Sequence, residues 1–291
     1  MTYLTERYVN FFTDYGFKRL FGQEPNKDLL QDFLNELLKD EQNRIVNLTY
    51  LKDENLGKSV LDRKAVFDLY CENDQGEKFI VELQKSKQNF FKDRSVYYST
   101  FPIQHQAQKG DWNYELKAVY TIGILDFVFE EDKKDNEKYR YDVKLQDIDT
   151  NKIFYDKLSF IYLEMPKFTK TLDELETRFD KWLYAIKNLN RLDKVPDKLR
   201  EKIFEKFFEI AEISNFTREE VINYEDSLKY YRDLKNSLDT AKMEGLEEGI
   251  GIGKNQTIHN IARNLLDILD DKTIALKTSL TENEVANLRI K

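Results

Sequence analysis

Two carboxylates and one carboxamide occur at spacings that would bring them together on a short β-hairpin. They are Asp68, Glu82 and Gln84, and the turn-forming segment Asn73–Gly76 lies between the first two. If this turn closes the hairpin with a three-residue loop ending at Gly76, Asp68 lies directly across from Glu82. Gln84 follows Glu82 by two residues, so both side chains point to the same face of their strand.

Carboxylates directly opposite one another on adjacent strands repel, which normally destabilises the pair. A divalent cation removes this repulsion, since Mg²⁺ prefers oxygen ligands and is often held by one or two carboxylates. The cation lowers the pKa of a bound water and stabilises charge that develops on a phosphate. The alternative is that the polar side chains form the solvated face of a half-buried strand. The neighbouring residues favour burial, and therefore the cation: Phe67, Leu69, Ile80, Val81 and Leu83.

Helices and strands that would position these residues can be read from the spacing of apolar side chains. Helical spacing marks residues 14–21 and 26–38, and a mixed helical pattern follows over 89–109. The apolar run at 117–129 is typical of a strand buried on both faces. The predicted strands are 65–72, 78–85, 117–129, 139–148 and 153–163.

Helical patterns dominate the rest of the chain, over residues 172–190, 197–214 and 217–240. The glycine-rich stretch at 241–254 predicts a flexible or frayed connector, because glycine weakens helices. We therefore expect an α/β core over residues 1–170, a helical extension over 171–240, and the connector with a small helical tail over 241–291.

Composition narrows the class of protein. The formal net charge is −8, from 46 basic and 54 acidic residues, which disfavours a nucleic-acid partner unless cations and a local basic strip supply positive charge. The single cysteine, Cys71, excludes an intrachain disulfide and suits a reducing compartment. No signal-peptide pattern and no membrane-spanning apolar run are evident, so we expect a soluble cytoplasmic protein with no membrane partner.

Several motifs taken together resemble a known family. The chain resembles the PD-(D/E)xK nuclease superfamily and, within it, the recombination-promoting nuclease and transposase family. The resemblance extends from Asn10 to Phe129 and rests on the order of FTDYGFKRLFG, NKDLLQDFLNELL, VFDLYCENDQGEKFIVELQ and DRSVYYSTFPIQHQAQKGDWNYELKAVYTIGILDF. It implies a restriction-endonuclease-like fold of the α/β class, with a mixed central sheet flanked by helices and an α-helical C-terminal half.

The resemblance also implies roles for individual residues. Asp68 matches the metal-binding aspartate, and Glu82 matches the acidic residue that opens the ExK segment. Gln84 stands where many superfamily members have lysine, although this branch often carries ExQ. It would orient water or the metal shell. The main-chain carbonyl of Leu83 would be a further metal ligand.

Asp14 and Lys18 lie in the family's first helix, four residues apart and therefore on one helix face. In the functional interpretation, Asp14 approaches the metal site and Lys18 contacts a phosphate. In the structural interpretation, they form a surface ion pair, which contributes only about 0–1 kcal/mol to stability. Both interpretations stay open at this point.

A basic strip follows the second hairpin strand. It surrounds the aromatic pair Phe90–Phe91 and consists of Lys85, Lys87, Lys92 and Arg94. The strip either follows a phosphate backbone or is a solvated charged face. Strand alternation predicts that Lys85 points away from the face of Gln84, so we do not expect it to replace the missing lysine.

These observations together predict a metal-dependent DNA endonuclease that hydrolyses phosphodiester bonds with Mg²⁺, with Mn²⁺ able to substitute. Its cutting would promote recombination or transposition, a role implied by the resemblance alone. Two alternatives stay open. One is a catalytically silent nuclease fold that binds DNA or a protein partner. The other is a partner-binding protein that assembles as a homo-oligomer.

Overall fold

Helices cover both faces of a mixed β-sheet. The computed structural model describes residues 6–39, 44–51, 67–107, 113–129, 131, 135 and 137–290. Within this part of the chain, six strands form the sheet. They are β1 (Leu48–Tyr50), β2 (Leu69–Asn73), β3 (Lys78–Gln84), β4 (Val119–Leu125), β5 (Arg140–Gln146) and β6 (Ile153–Glu164).

The strand order is β1-β2-β3-β4-β6-β5. β3 pairs antiparallel with β2 and parallel with β4, and β4 pairs parallel with β6. β4 is buried along its whole length, as its apolar run predicted. β1 has only three residues and was not predicted. Residues 65–66 of the first predicted hairpin strand lie outside the described ranges.

Two groups of helices flank the sheet. α1 (Asp14–Phe21), α2 (Lys27–Leu37), α4 (Arg178–Asn188) and α5 (Lys202–Ala211) enclose the main core on one face. Trp182 is fully buried there, with aromatic contacts to Phe33, Phe204 and Phe207. α3 (Phe91–His105) lies against the other face. The predicted α/β, restriction-endonuclease-like fold with a helical C-terminal half is therefore confirmed.

The C-terminal half continues in α6 (Arg218–Leu265), α7 (Asp271–Thr278) and α8 (Glu282–Ile290). By internal contacts, the chain divides into one compact unit that ends at Tyr231 and a second that begins at Arg232. The second unit has its own small core of Ala262, Ile274, Ala275 and Val285. Among the described residues, no helix is both long and apolar enough to cross a membrane.

The prediction of a flexible or frayed connector at 241–254 is wrong, because the helix does not break there. These residues lie inside α6, which runs without interruption through Gly245, Gly249, Gly251 and Gly253. Each glycine costs a helix about 1 kcal/mol relative to alanine. Lysine, methionine and glutamate before Gly245, and leucine and glutamate after it, favour the helix, and the costs of the glycines do not end it.

Asp180 in the first turn of α4 gives a testable contribution to stability. Its Oδ2 accepts hydrogen bonds from the Lys170 ammonium at 2.9 Å and the Thr177 amide at 3.0 Å. Burial raises the pKa of Asp180, but Lys170 and the backbone amides of Thr177 and Glu176 together hold it below its ordinary value. A depressed pKa means that the ionised carboxylate stabilises the fold above the pKa of the unfolded chain.

We expect Asp180→Ala to lower the free energy of unfolding at pH 7 by about 1–3 kcal/mol, because it removes a buried cap and leaves Lys170 without its partner. The difference in free energy of unfolding between the variant and the wild type should shrink as the pH falls below about 3.9, the pKa of aspartate in the unfolded chain. Urea unfolding at pH 7 and pH 3 measures both effects. An equal loss at both pH values would contradict the assigned role of the ionised carboxylate.

Candidate active site

The hairpin of β2 and β3 has the predicted register. Leu69 pairs with Val81 and Glu72 pairs with Lys78, and continuing this register by one residue sets Asp68 opposite Glu82. The turn forms as expected, with the Asn73 amide donating to the Glu77 carbonyl at 3.1 Å.

Two features of the turn fix this register. Gly76 adopts a φ of +81°, the left-handed conformation that glycine accepts without strain. The side-chain oxygen of Asn73 accepts from the amides of Gln75 at 3.0 Å and Glu77 at 2.9 Å. The local chemistry of the turn therefore determines which carboxylates face each other at the far end of the hairpin.

Asp68 and Glu82 are bridged through the backbone. The Asp68 amide donates to Glu82 Oε1 at 3.2 Å, and the Leu83 amide donates to Asp68 Oδ2 at 2.8 Å. In a β-strand, the N–H and C=O of one residue project toward the same neighbouring strand. The Leu83 carbonyl is therefore directed toward the hairpin segment that carries Asp68. Both carboxylates and this carbonyl lie at one end of the hairpin.

The electrostatics of Asp68 link it to the first helix. Burial raises its pKa, and the Asp14 carboxylate raises it further. The Leu83 amide and the ammonium groups of Lys18 and Lys85 act in the opposite direction, but the pKa stays above its ordinary value. A half-buried carboxylate with a raised pKa is a group that a cation would stabilise in its ionised form.

Asp14 and Lys18 lie in α1, whose N-terminus is capped by Thr13 through a hydrogen bond from Gly16. Lys18 Nζ is 3.1 Å from Asp14 Oδ1, and both side chains are about half exposed, at 53% and 52%. The surface ion pair of the structural interpretation is therefore present. The same two residues also contribute to the electrostatics of Asp68, which the functional interpretation requires.

Lys85 has surroundings that its place in the sequence did not indicate. It follows β3 on the face of Phe79, Val81 and Leu83, opposite the face of Gln84, as strand alternation predicted. α1 covers that face, and burial there lowers the pKa of Lys85 while Asp14 and Asp68 raise it. The Lys85 ammonium thus lies near the carboxylates of Asp14 and Asp68. Its Nζ is 5.6 Å from the centre of the Tyr230 ring. Only the placement of α1 could have revealed this.

Gln84 is held toward α3. Its Oε1 accepts from Arg94 Nη2 at 2.5 Å, and its Nε2 donates to the Ser86 carbonyl at 2.9 Å. Arg94 also donates to Gln88 Oε1 at 2.5 Å, so it fixes the segment after β3 against the helix. Gln84 is only 7% exposed. Arg94 therefore positions Gln84, a function that its place in a basic strip did not indicate.

The donor set fits a small divalent cation. Among the described residues, no cluster of three or more histidine, cysteine, aspartate or glutamate side chains has the arrangement of a metal site. Mg²⁺ needs no such cluster, because one or two carboxylates are often completed by water and phosphate oxygens. Asp68 and Glu82 supply the two carboxylates. Asp68 Oδ2 accepts the Leu83 amide, so Oδ1 is the oxygen of this carboxylate that would serve as a ligand.

Comparisons with curated proteins and with solved structures give no significant match in either group. The family model for the PD-(D/E)XK nuclease family transposase matches residues 11–241. This range includes α1, the β2–β3 hairpin, α3 and every residue of the candidate site. The chain therefore belongs to the PD-(D/E)XK nuclease transposase family.

Proposed function

We propose that the protein hydrolyses phosphodiester bonds in DNA with the help of Mg²⁺, for which Mn²⁺ substitutes. Membership of the family supports a nuclease or transposase-like role. The observation that supports cleavage most strongly is the backbone-bridged pair Asp68 and Glu82 at the end of the hairpin. Two carboxylates fixed this closely would repel unless a cation lay between them and the substrate phosphate.

Each residue of the site has a role in this proposal. Asp68, Glu82 and the Leu83 carbonyl would hold the cation, which supplies an acidified water and charge stabilisation. Lys85 provides positive charge beside Asp68 and stabilises the phosphate as negative charge grows on it. Gln84, fixed by Arg94, supports the strand end on the face of Glu82, opposite the face of Lys85.

Asp14 and Lys18 complete the proposed site from the side of α1. Lys18 contacts a phosphate neighbouring the one that is cut, and Asp14 keeps the Lys18 ammonium in place through their ion pair. Local cations of this kind compensate for the overall charge of −8, because affinity for DNA depends on the phosphates that are neutralised at the interface. Cutting by such a site would promote recombination or movement of a mobile element.

Nicking of supercoiled plasmid tests the proposal. We expect relaxed and linear products with Mg²⁺ or Mn²⁺, none with excess chelator, and recovery of cleavage when the cation is restored. Wild type and the Asp68→Asn variant should be purified in the same way, so that loss of activity in the variant excludes a contaminating nuclease. If the wild type never cuts with either cation, the proposed hydrolysis fails.

One observation favours a second candidate, a nuclease fold that binds DNA without cutting it. Gln84 occupies the place of a lysine, and its side-chain oxygen is engaged by Arg94 rather than directed to Asp68. In that case DNA binding in the presence of chelator should persist while no cation supports cleavage. The plasmid assay together with an equilibrium binding assay separates the two candidates.

A further inference from the structure

Phe90 is an exposed aromatic residue in a strained backbone conformation next to the candidate site. Its side chain is 79% exposed, and its φ is +61°. A bulky residue other than glycine rarely adopts this left-handed conformation, because its Cβ crowds the backbone. Strain of this kind that persists in a folded protein is concentrated at functional sites. Phe90 also lies immediately before α3, the helix that holds Gln84.

The residues around Phe90 fix its outward direction. Phe91, the next residue, is 5% exposed and makes ring contacts with Phe127, Phe129 and Tyr162. The Phe90 carbonyl accepts from the Arg94 amide at 2.9 Å in the first turn of α3. The ring of Phe90 is therefore presented to solvent by a rigid support, one helical turn from the arginine that binds Gln84.

Exposure and strain alone do not identify a substrate contact. Tyr114 is also 79% exposed, with a φ of +62°, and Phe154 is 83% exposed. Tyr114 precedes β4 and Phe154 lies near the start of β6, and both strands run parallel to β3. These two residues therefore lie at the opposite end of the sheet from the site, which follows the end of β3.

What distinguishes Phe90 is its setting among cations beside the site. Lys87 and Lys92 flank it in sequence, and Arg94 lies one turn further along α3. Cations that follow a phosphate backbone, together with an aromatic face on which a base stacks, are the features of proteins that bind single-stranded nucleic acid. Stacking does not require a particular base, since every base has a π-face.

We propose that Phe90 stacks on an unpaired base next to the phosphate that is cut, and that the substrate is therefore single-stranded DNA or duplex DNA with an opened segment. This inference rests on the proposed function for the location of the cut. It adds the structural class of DNA that the site accepts. Arg94 acts as a positioning residue, because it holds both the site glutamine and the helix turn that presents Phe90.

Equilibrium binding in chelator tests the proposal without cleavage. A fluorescently labelled 12-nucleotide single strand and the corresponding blunt duplex are titrated with wild type, Phe90→Ala, Phe90→Trp and Phe154→Ala. We expect Phe90→Ala to weaken single-strand binding by roughly 5- to 100-fold, the effect of one lost stacking contact. Duplex binding should change less than twofold. Phe154→Ala, matched in residue type and exposure, should bind both DNAs as wild type does.

Phe90→Trp should retain single-strand binding, and its added indole fluorescence should be quenched by the single strand but not by the duplex. Equal binding of the single strand by wild type and Phe90→Ala would overturn the proposal, as would absence of single-strand binding by wild type. Because the chelator removes the divalent cation that cleavage requires, the binding result is independent of hydrolysis. Loss of single-strand binding in Phe90→Ala would support the stacking contact even if the plasmid assay showed no cutting.

Discussion

Asp68→Asn is expected to abolish most DNA cleavage while leaving the protein folded. Removal of one group that stabilises charge in the reaction typically lowers kcat by roughly 100- to 1,000-fold. The asparagine side-chain oxygen can still accept the Leu83 amide, so the hairpin end keeps the hydrogen bond that Asp68 Oδ2 makes at 2.8 Å. Initial rates of plasmid nicking with saturating Mg²⁺ measure the effect.

The same substitution should also raise stability at neutral pH. Burial raises the pKa of Asp68 in the folded protein, so the ionised carboxylate destabilises the fold. This loss of stability is absent below the pKa of aspartate in the unfolded chain, about 3.9, and it is complete above the pKa of Asp68 in the folded protein. The stability of Asp68→Asn relative to wild type should therefore grow as the pH rises from about 4 to 7 in chelator.

Asp142→Asn is the matched control for both effects. Asp142 lies on β5, which is the edge strand on the opposite side of the sheet from β1 and β2, and it pairs with Arg140 at 2.8 Å. Its replacement should leave nicking within about twofold and change stability by at most about 1 kcal/mol. Cleavage by Asp68→Asn at the rate of Asp142→Asn would contradict the assignment of Asp68.

Lys85→Gln is expected to produce the second large effect, a loss of roughly 10- to 100-fold in the cleavage rate. The substitution removes the cation beside Asp68 and Asp14 but keeps a polar side chain of similar length. Lys85→Arg should retain more activity, because it preserves the charge. Single-turnover cleavage at saturating enzyme measures the rate apart from DNA affinity.

Lys144→Gln on β5 removes the same charge at the far edge of the sheet and serves as the control. If Lys85 acts only by attracting DNA, Lys85→Gln should raise the apparent Kd and leave the saturated rate unchanged. That outcome would exclude Lys85 from the chemical step. Lys18 would then be the candidate for stabilising charge on the phosphate. An unchanged rate and an unchanged affinity would contradict any role of Lys85 in the site.

The hairpin could be predicted from the sequence because its determinants are local. Asn73 and Gly76 specify the turn, and the side-chain period of two in a strand then determines which residues face each other. The buried strand β4 could be recognised for a related reason, since seven consecutive apolar or small residues suit a strand covered on both faces. These features need no knowledge of distant parts of the chain.

The contacts of Lys85 and Gln84 could not be predicted in this way. Alternation correctly separated them onto two faces of β3, but it does not show what covers each face. α1 brings Asp14 to the face of Lys85, and α3 brings Arg94 to Gln84. Both contacts depend on tertiary packing. The long helix α6 was interrupted in the prediction because glycine propensity was weighted above the favourable residues around the glycines.

Binding of Mn²⁺ tests the central claim most directly, that Asp68 and Glu82 hold the cation that supports cleavage. Electron paramagnetic resonance of free Mn²⁺ should be titrated with wild type, Asp68→Asn, Glu82→Gln and Asp142→Asn. We predict saturable binding to wild type and Asp142→Asn, and at least tenfold weaker binding to the other two variants, in parallel with their loss of nicking. Wild-type Mn²⁺ affinity in Asp68→Asn and Glu82→Gln would contradict the account.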